Sequence, residues 1–110
     1  MLINQLRLYE IYDDTRTEFL DRFNDHAARI MGNHGFRILA MWTTTHNGNP
    51  AFAYLLSWLD DDDMQAGWAA FMADPDWKDI KAQRDPNAGP IVGDITDLVL
   101  DPVSFSQALS

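Results

Sequence analysis

The stretch Phe52-Ala53-Tyr54-Leu55-Leu56-Ser57-Trp58-Leu59 is apolar at both parities. Successive side chains of a strand point to opposite faces, so a half-exposed strand alternates between apolar and polar residues. This one does not alternate and is expected to be buried on both faces. The arm before it, Phe36 to His46, is similarly rich in aromatic, aliphatic and β-branched residues. Asn47-Gly48 joins the two arms, and both residues tolerate the positive φ of a two-residue hairpin turn. A chain of 110 residues makes one domain that buries roughly two-thirds of its unfolded surface. If its helices cover one face of the sheet, the other face needs a different cover. The economical choice is a second copy of the chain.

The elements on either side complete a simple string. Residues Leu2 to Ile11 read as a strand with apolar residues at both parities, among which Arg7 stands out. A buried arginine must find a carboxylate or line a polar pocket. Thr15-Arg16-Thr17-Glu18 has the spacing of a capping box. It predicts a helix to about Asn33, with Phe19, Leu20, Phe23, Ala27, Ile30 and Met31 on one face, His26 at its edge, and Gly35 ending it. With a two-residue turn, the hairpin sets Trp42 opposite Ala53, Tyr54 opposite Met41 and Trp58 opposite Arg37. A three-residue loop would pair Trp42 with Tyr54 and exchange the faces.

Asp60-Asp61-Asp62-Asp63 is read as a helix start, where carboxylates meet free N–H groups and the positive end of the dipole. Met64, Trp68, Phe71 and Met72 are expected inside that helix. Asp74-Pro75-Asp76-Trp77 restarts it, to about Arg84, burying Trp77 and Ile80. A loop from Asp85 to Gly93 precedes a last strand, Asp94 to Leu100. The order is β-α-β-β-α-β: an α+β, ferredoxin-like fold with an antiparallel sheet and both helices on one face. Two bare sheet faces brought together give a dimer with a barrel-like centre.

Composition excludes several functions. There is no cysteine, hence no disulfide and no thiolate chemistry. The formal charge of −9, from 17 acidic and 8 basic side chains, repels phosphate backbones, so no nucleic-acid partner is expected. No apolar run approaches the roughly 20 residues of a membrane span, and no leader pattern opens the chain. The expectation is a cytoplasmic protein without a membrane partner.

Leu6-Arg7-Leu8-Tyr9, His26, Gly35, Trp42-Thr43-Thr44 and Asp74-Pro75-Asp76-Trp77 together resemble the NIPSNAP family of the dimeric α+β barrel superfamily, over nearly the whole chain. The Asp-Pro-Asp-Trp motif is the most specific of these. The chain departs from the family in carrying Asn4-Gln5 where many members have Tyr-Glu. The resemblance implies the barrel fold and a homodimer. Relatives in the wider superfamily include cofactor-independent monooxygenases, haem-degrading enzymes, isomerases and aldoxime dehydratases.

His26 is the residue best suited to acid/base catalysis, because imidazole titrates near neutral pH. The competing reading is a half-buried histidine with a structural partner. Arg7 would clamp a carboxylate or enolate, or else pair with an internal acid. Trp42, Tyr54, Trp58 and Trp77 would wall a substrate pocket, or else form plain core. His34 and His46 read as helix-end and strand-end residues. His26 and His34 stand roughly 12 Å apart along a helix at 1.5 Å per residue, too far to share an ion. No glycine-rich phosphate loop or serine elbow occurs. No cofactor is expected; haem is a third reading, with His26 or His34 as its axial ligand. The leading expectation is a small homodimer that binds or transforms an apolar or anionic small molecule between helices and sheet. The alternative is a non-catalytic interaction module.

Overall fold

A computed structural model describes residues 2–109. Its elements are β1 (Ile3–Ile11), α1 (Arg16–Arg22), α2 (Ala28–Asn33), β2 (Arg37–His46), β3 (Asn49–Trp58), α3 (Asp61–Ala73), α4 (Pro75–Ala82) and β4 (Val92–Leu100). The four strands form one antiparallel sheet in the order β2-β3-β1-β4. The doubly apolar strand β3 is therefore interior to the sheet, as its composition requires. Phe52, Tyr54, Leu56 and Trp58 of one parity lie in the core with the helices. Ala51, Ala53 and Ser57 of the other parity are also buried, and Leu55 is half-buried.

The helices cover one face only. Core residues of β1 and β3 share a parity with each other and pack with Phe19, Phe23, Ile30, Met31, Met64, Phe71 and Trp77. The opposite face carries Leu6, Leu8 and Leu55 half-buried, with Trp42, Leu98 and Leu100 each more than two-fifths exposed. These residues share a face because Leu6 pairs with both Leu55 and Leu98, while Trp42 pairs with Ala53 beside Leu55.

Local chemistry sets the element ends. Asn47 and Gly48 take φ of 53° and 79°, giving the expected two-residue turn. Near the turn the register is as predicted, with Trp42 opposite Ala53 and Met41 opposite Tyr54. Beyond it a bulge between Ile38 and Ala40 shifts the pairing by one, so Arg37 faces Ser57 and not Trp58. Gly35, at φ 83°, stops α2: Phe36 N–H donates to Met31 O at 3.1 Å and Gly35 N–H to Gly32 O at 3.2 Å.

The capping box predicted at Thr15 is absent. A 3-10 turn (Asp13–Thr15) leads into α1, Thr15 makes no side-chain cap, and Glu18 instead accepts from Arg84 at 2.6 Å. A bidentate guanidinium outcompetes a single backbone N–H for that carboxylate. Asp60 and Asp74 do cap α3 and α4, accepting from Asp63 N–H and Asp76 N–H at 2.8 Å each.

On α3 the inward face is Met64, Gly67 and Phe71, with Trp68 half-buried; Met72 points out, 50% exposed. Gly67 replaces it inside because the Trp58 ring fills the place of a side chain. A Cβ there would sit 2.6 Å from the Trp58 ring. The final strand begins at Val92, earlier than expected, because β1 continues to pair with it at Ile11 across a second bulge.

Candidate functional site

Arg7 lies at the centre of a polar row running across the helix-facing side of the sheet. Its register partners are Asp97 on β4 and Tyr54 on β3. Strand pairing thus brings together three polar residues distant in sequence. The Arg7 Nη1 donates to Asp97 Oδ2 at 2.7 Å, and Nη2 donates to the Tyr9 hydroxyl at 3.1 Å. The Tyr9 and Tyr54 hydroxyls share a hydrogen bond of 2.5 Å. The guanidinium stacks on the Trp68 ring, 4.3 Å from its centre. Arg7 Nε is buried without a partner among the described residues.

One position along β1, on the same face, Gln5 completes the network. Its Oε1 accepts from the indole N–H of Trp58 at 2.9 Å and of Trp68 at 2.8 Å. Its Nε2 donates to both Asp97 oxygens, at 3.0 and 3.1 Å. Gln5 is 2% exposed and the Arg7 side chain 15%, whereas the Asp97 side chain is 40% exposed. The network therefore runs from the core and reaches solvent at Asp97. There β4 passes beyond the helices, leaving Ile95 and Val99 half-exposed on either side of it.

Electrostatics fix the charge states. Burial works against the charge on Arg7, but Tyr9, Tyr54 and Asp97 outweigh it and hold its pKa above the usual value. Burial, and then the neighbouring Tyr9, push the Tyr54 phenol well above its ordinary range. The site presents a permanent cation beside a neutral hydroxyl.

Of the sequence-predicted residues, Arg7, Tyr54 and Trp58 meet in this network, whereas His26, Trp42 and Trp77 do not join it. Tyr54, Trp58 and Trp77 are buried in the core, and Trp42 lies on the opposite face of the sheet. His26 sits in a π-helical turn (Phe23–Ala27) between α1 and α2. It borders a groove of about 270 Å³ facing α4, with Arg22, Arg84 and Ile80. The expected orientation of His26 toward the sheet is taken instead by its buried neighbours Phe23 and Ala27. The space they leave between helices and sheet is a cavity of about 50 Å³. His34 is hydrogen-bonded to Asp74 at 2.7 Å, and His46 is exposed at the hairpin end. Among the described residues no cluster of three His, Asp or Glu side chains could hold a metal ion, and no helix is long and apolar enough to cross a membrane.

Gln5, Asp97 and Trp68 are the partners that sequence reasoning missed. A signal existed: a buried indole N–H needs an acceptor, and Gln5 shares the parity of Arg7 and Tyr9 on β1.

A family model for NIPSNAP matches residues 4–107. The chain belongs to the NIPSNAP family. Among solved structures it is similar to a NIPSNAP-like domain protein from Burkholderia xenovorans, at 22% identity and a TM-score of 0.80, covering 99% of this chain and 91% of that one. A NIPSNAP family protein from Agrobacterium tumefaciens is 15% identical with a TM-score of 0.81, covering 96% and 97%. The haem-degrader MhuD from Mycobacterium tuberculosis, solved with two haems in its active site, is 19% identical with a TM-score of 0.55, covering 96% and 99%. With all three solved structures the shared property is the fold. No functionally curated protein matches the chain.

Proposed function

We propose that this NIPSNAP protein is a homodimer that binds a small anionic or enolisable molecule at the Arg7 network. One observation carries this reading: a charged guanidinium is built into the sheet's core-facing side and connects to solvent at Asp97. Burying an ion pair gains little stability over packed apolar side chains, so such a network is a candidate for function. A guanidinium receives a carboxylate or enolate through two parallel hydrogen bonds. The incoming oxygens would compete with Asp97 for Nη1 and with the Tyr9 hydroxyl for Nη2, whose hydrogens point the same way. Trp68 would wall the molecule, with Ile95 and Val99 as its apolar rim, while the neutral Tyr54 keeps the Tyr9 hydroxyl in place.

Acid/base catalysis by His26 on the same molecule is not supported, because its groove lies on the far side of Phe23 and Ala27. The haem reading fits poorly too. His34 is engaged by Asp74, and the groove beside His26 is shallow, charged and smaller than a porphyrin.

The homodimer rests on the open sheet face, where Leu6, Leu8, Leu55, Leu98, Leu100 and Trp42 form an apolar surface with no cover from the chain's own helices. A second copy supplies the same apolar surface and closes both at once.

A different observation favours a non-catalytic module: the cavity between helices and sheet that Tyr9, Phe23 and Trp77 line holds only about 50 Å³. Titration separates the two readings. Benzoate and acetoacetate, followed by tryptophan fluorescence, should give saturable curves with the native protein. Arg7→Gln should weaken them about tenfold or more while circular dichroism stays native, as loss of a charge-assisted pair implies. No saturation with either compound, or equal curves for the variant, leaves the interaction-module reading.

A further inference from the structure

The groove between the first helix and α4 holds a second, separate set of groups. Helical spacing puts Glu18, Arg22 and His26 along one row facing α4, and Asp21 with Asp25 along the next row. Arg84 closes the groove from beyond α4, held to Glu18 by two hydrogen bonds of 2.6 and 3.2 Å. Glu18 bonds to Arg84, and its charge also offsets part of the cost of burying Arg22. Arg22, half-buried and set over the Trp77 ring at 5.2 Å, makes no side-chain hydrogen bond among the described residues. Its pKa is lowered, first by burial and then by the charge of Arg84. His26 Nδ1 is buried and has no hydrogen-bond partner among the described residues. A buried polar atom without a partner is costly and invites one.

The π-helical turn that carries His26 adds to this pattern. An extra residue in a helical turn re-aims the side chains around it, and such turns recur at functional sites. Here it sets the imidazole beside Arg22 across a groove of about 270 Å³ floored by Ile80.

The geometry points to a binding site for a small α-amino acid, taken as its zwitterion. Its carboxylate meets Arg22 and, once the ring turns to uncover it, the Nδ1 of His26. Its ammonium meets Asp21 and Asp25 on the outer row, and Ile80 offers an apolar floor for a short side chain. The two acids disfavour a doubly charged anion, and the two arginines disfavour a free amine, so both ends of the ligand are needed.

Three probes test this: alanine and its two deletion analogues, propionate without the amine and ethylamine without the carboxylate, titrated into the isotope-labelled full chain at constant ionic strength and followed by two-dimensional NMR. Alanine should give saturable shifts confined to the stretches 18–27 and 80–84, including the His26 ring. Its apparent affinity should exceed that of either probe by about tenfold, the scale of one charge-assisted contact. Arg22→Gln should abolish the preference in a chain whose remaining spectrum is native, and His26→Gln should weaken binding with Arg22 intact. Shifts without saturation, propionate or ethylamine binding as tightly as alanine, or an unchanged preference in Arg22→Gln would each overturn the proposal. Because the probes are mapped by residue, alanine shifts centred on Arg7 in place of 18–27 would also overturn it, whatever propionate does at the Arg7 site.

Discussion

Gln5 shows how one side chain can organise a core. Its single oxygen serves two indole N–H groups while its amide holds Asp97 in reach of Arg7. Replacing it with leucine keeps the volume but leaves the Trp58 and Trp68 donors without an acceptor. Each orphaned buried donor costs roughly 1–3 kcal/mol, and the half-buried Trp68 recovers part of its share from water. We expect Gln5→Leu to lose about 2–4 kcal/mol in urea unfolding at an unchanged m-value. A loss below about 1 kcal/mol would show that the indoles find other partners. At this scale the sequence was partly legible. Arg7 on an apolar strand demanded a partner, but the partner is Asp97, ninety positions away. Only the strand order brings them together. His26 was misplaced for a related reason: periodicity for a regular helix does not anticipate the π turn that carries it.

Among the elements, α4 is the one whose attachment can be tested by pH. Asp74 caps it, accepting from Asp76 and Trp77 N–H, and also accepts or shares the 2.7 Å bond with His34 at the end of α2. The carboxylate thus ties two helices together. The His34 bond, followed by the two backbone N–H groups, lowers the Asp74 pKa in the folded protein. A carboxylate with a lowered folded pKa contributes stability above its unfolded value, about 3.9, and loses it as pH falls through the folded value. The native chain should therefore lose stability on acidification below about pH 4, through this pair among others. His34→Ala should lose less over the same window, since its Asp74 keeps only the N–H contacts; Asp74→Ala should lose the contribution entirely. Thermal melts between pH 3 and 6 measure this. Equal acid sensitivity in all three proteins would show that the pair carries no pH-linked stability. The cap itself was readable from Asp74-Pro75, whereas the cross-helix bond to His34 was not, because it depends on how α2 and α3 meet.

For the whole molecule β3 is decisive: its doubly apolar sequence matches a place in the sheet interior, with side chains of both parities largely buried. The order of elements, the antiparallel sheet and the one-sided helix layer were legible because each follows from local periodicity and turn chemistry. Where the pocket residues would converge was not legible, because Trp42 and Tyr54 sit one register step apart and fall on opposite faces. The open face remains the largest consequence of the fold. Leu98 is 46% exposed and Leu100 42% in the single chain, beside Leu6, Leu8 and Leu55. A monomer would leave that apolar surface in water, whereas a dimer would bury it twice over. Multi-angle light scattering on the native chain at low micromolar concentration tests this most directly. It should read twice the chain mass, falling to a single chain in Leu98→Glu; a native protein that scatters as one chain would contradict the covered sheet.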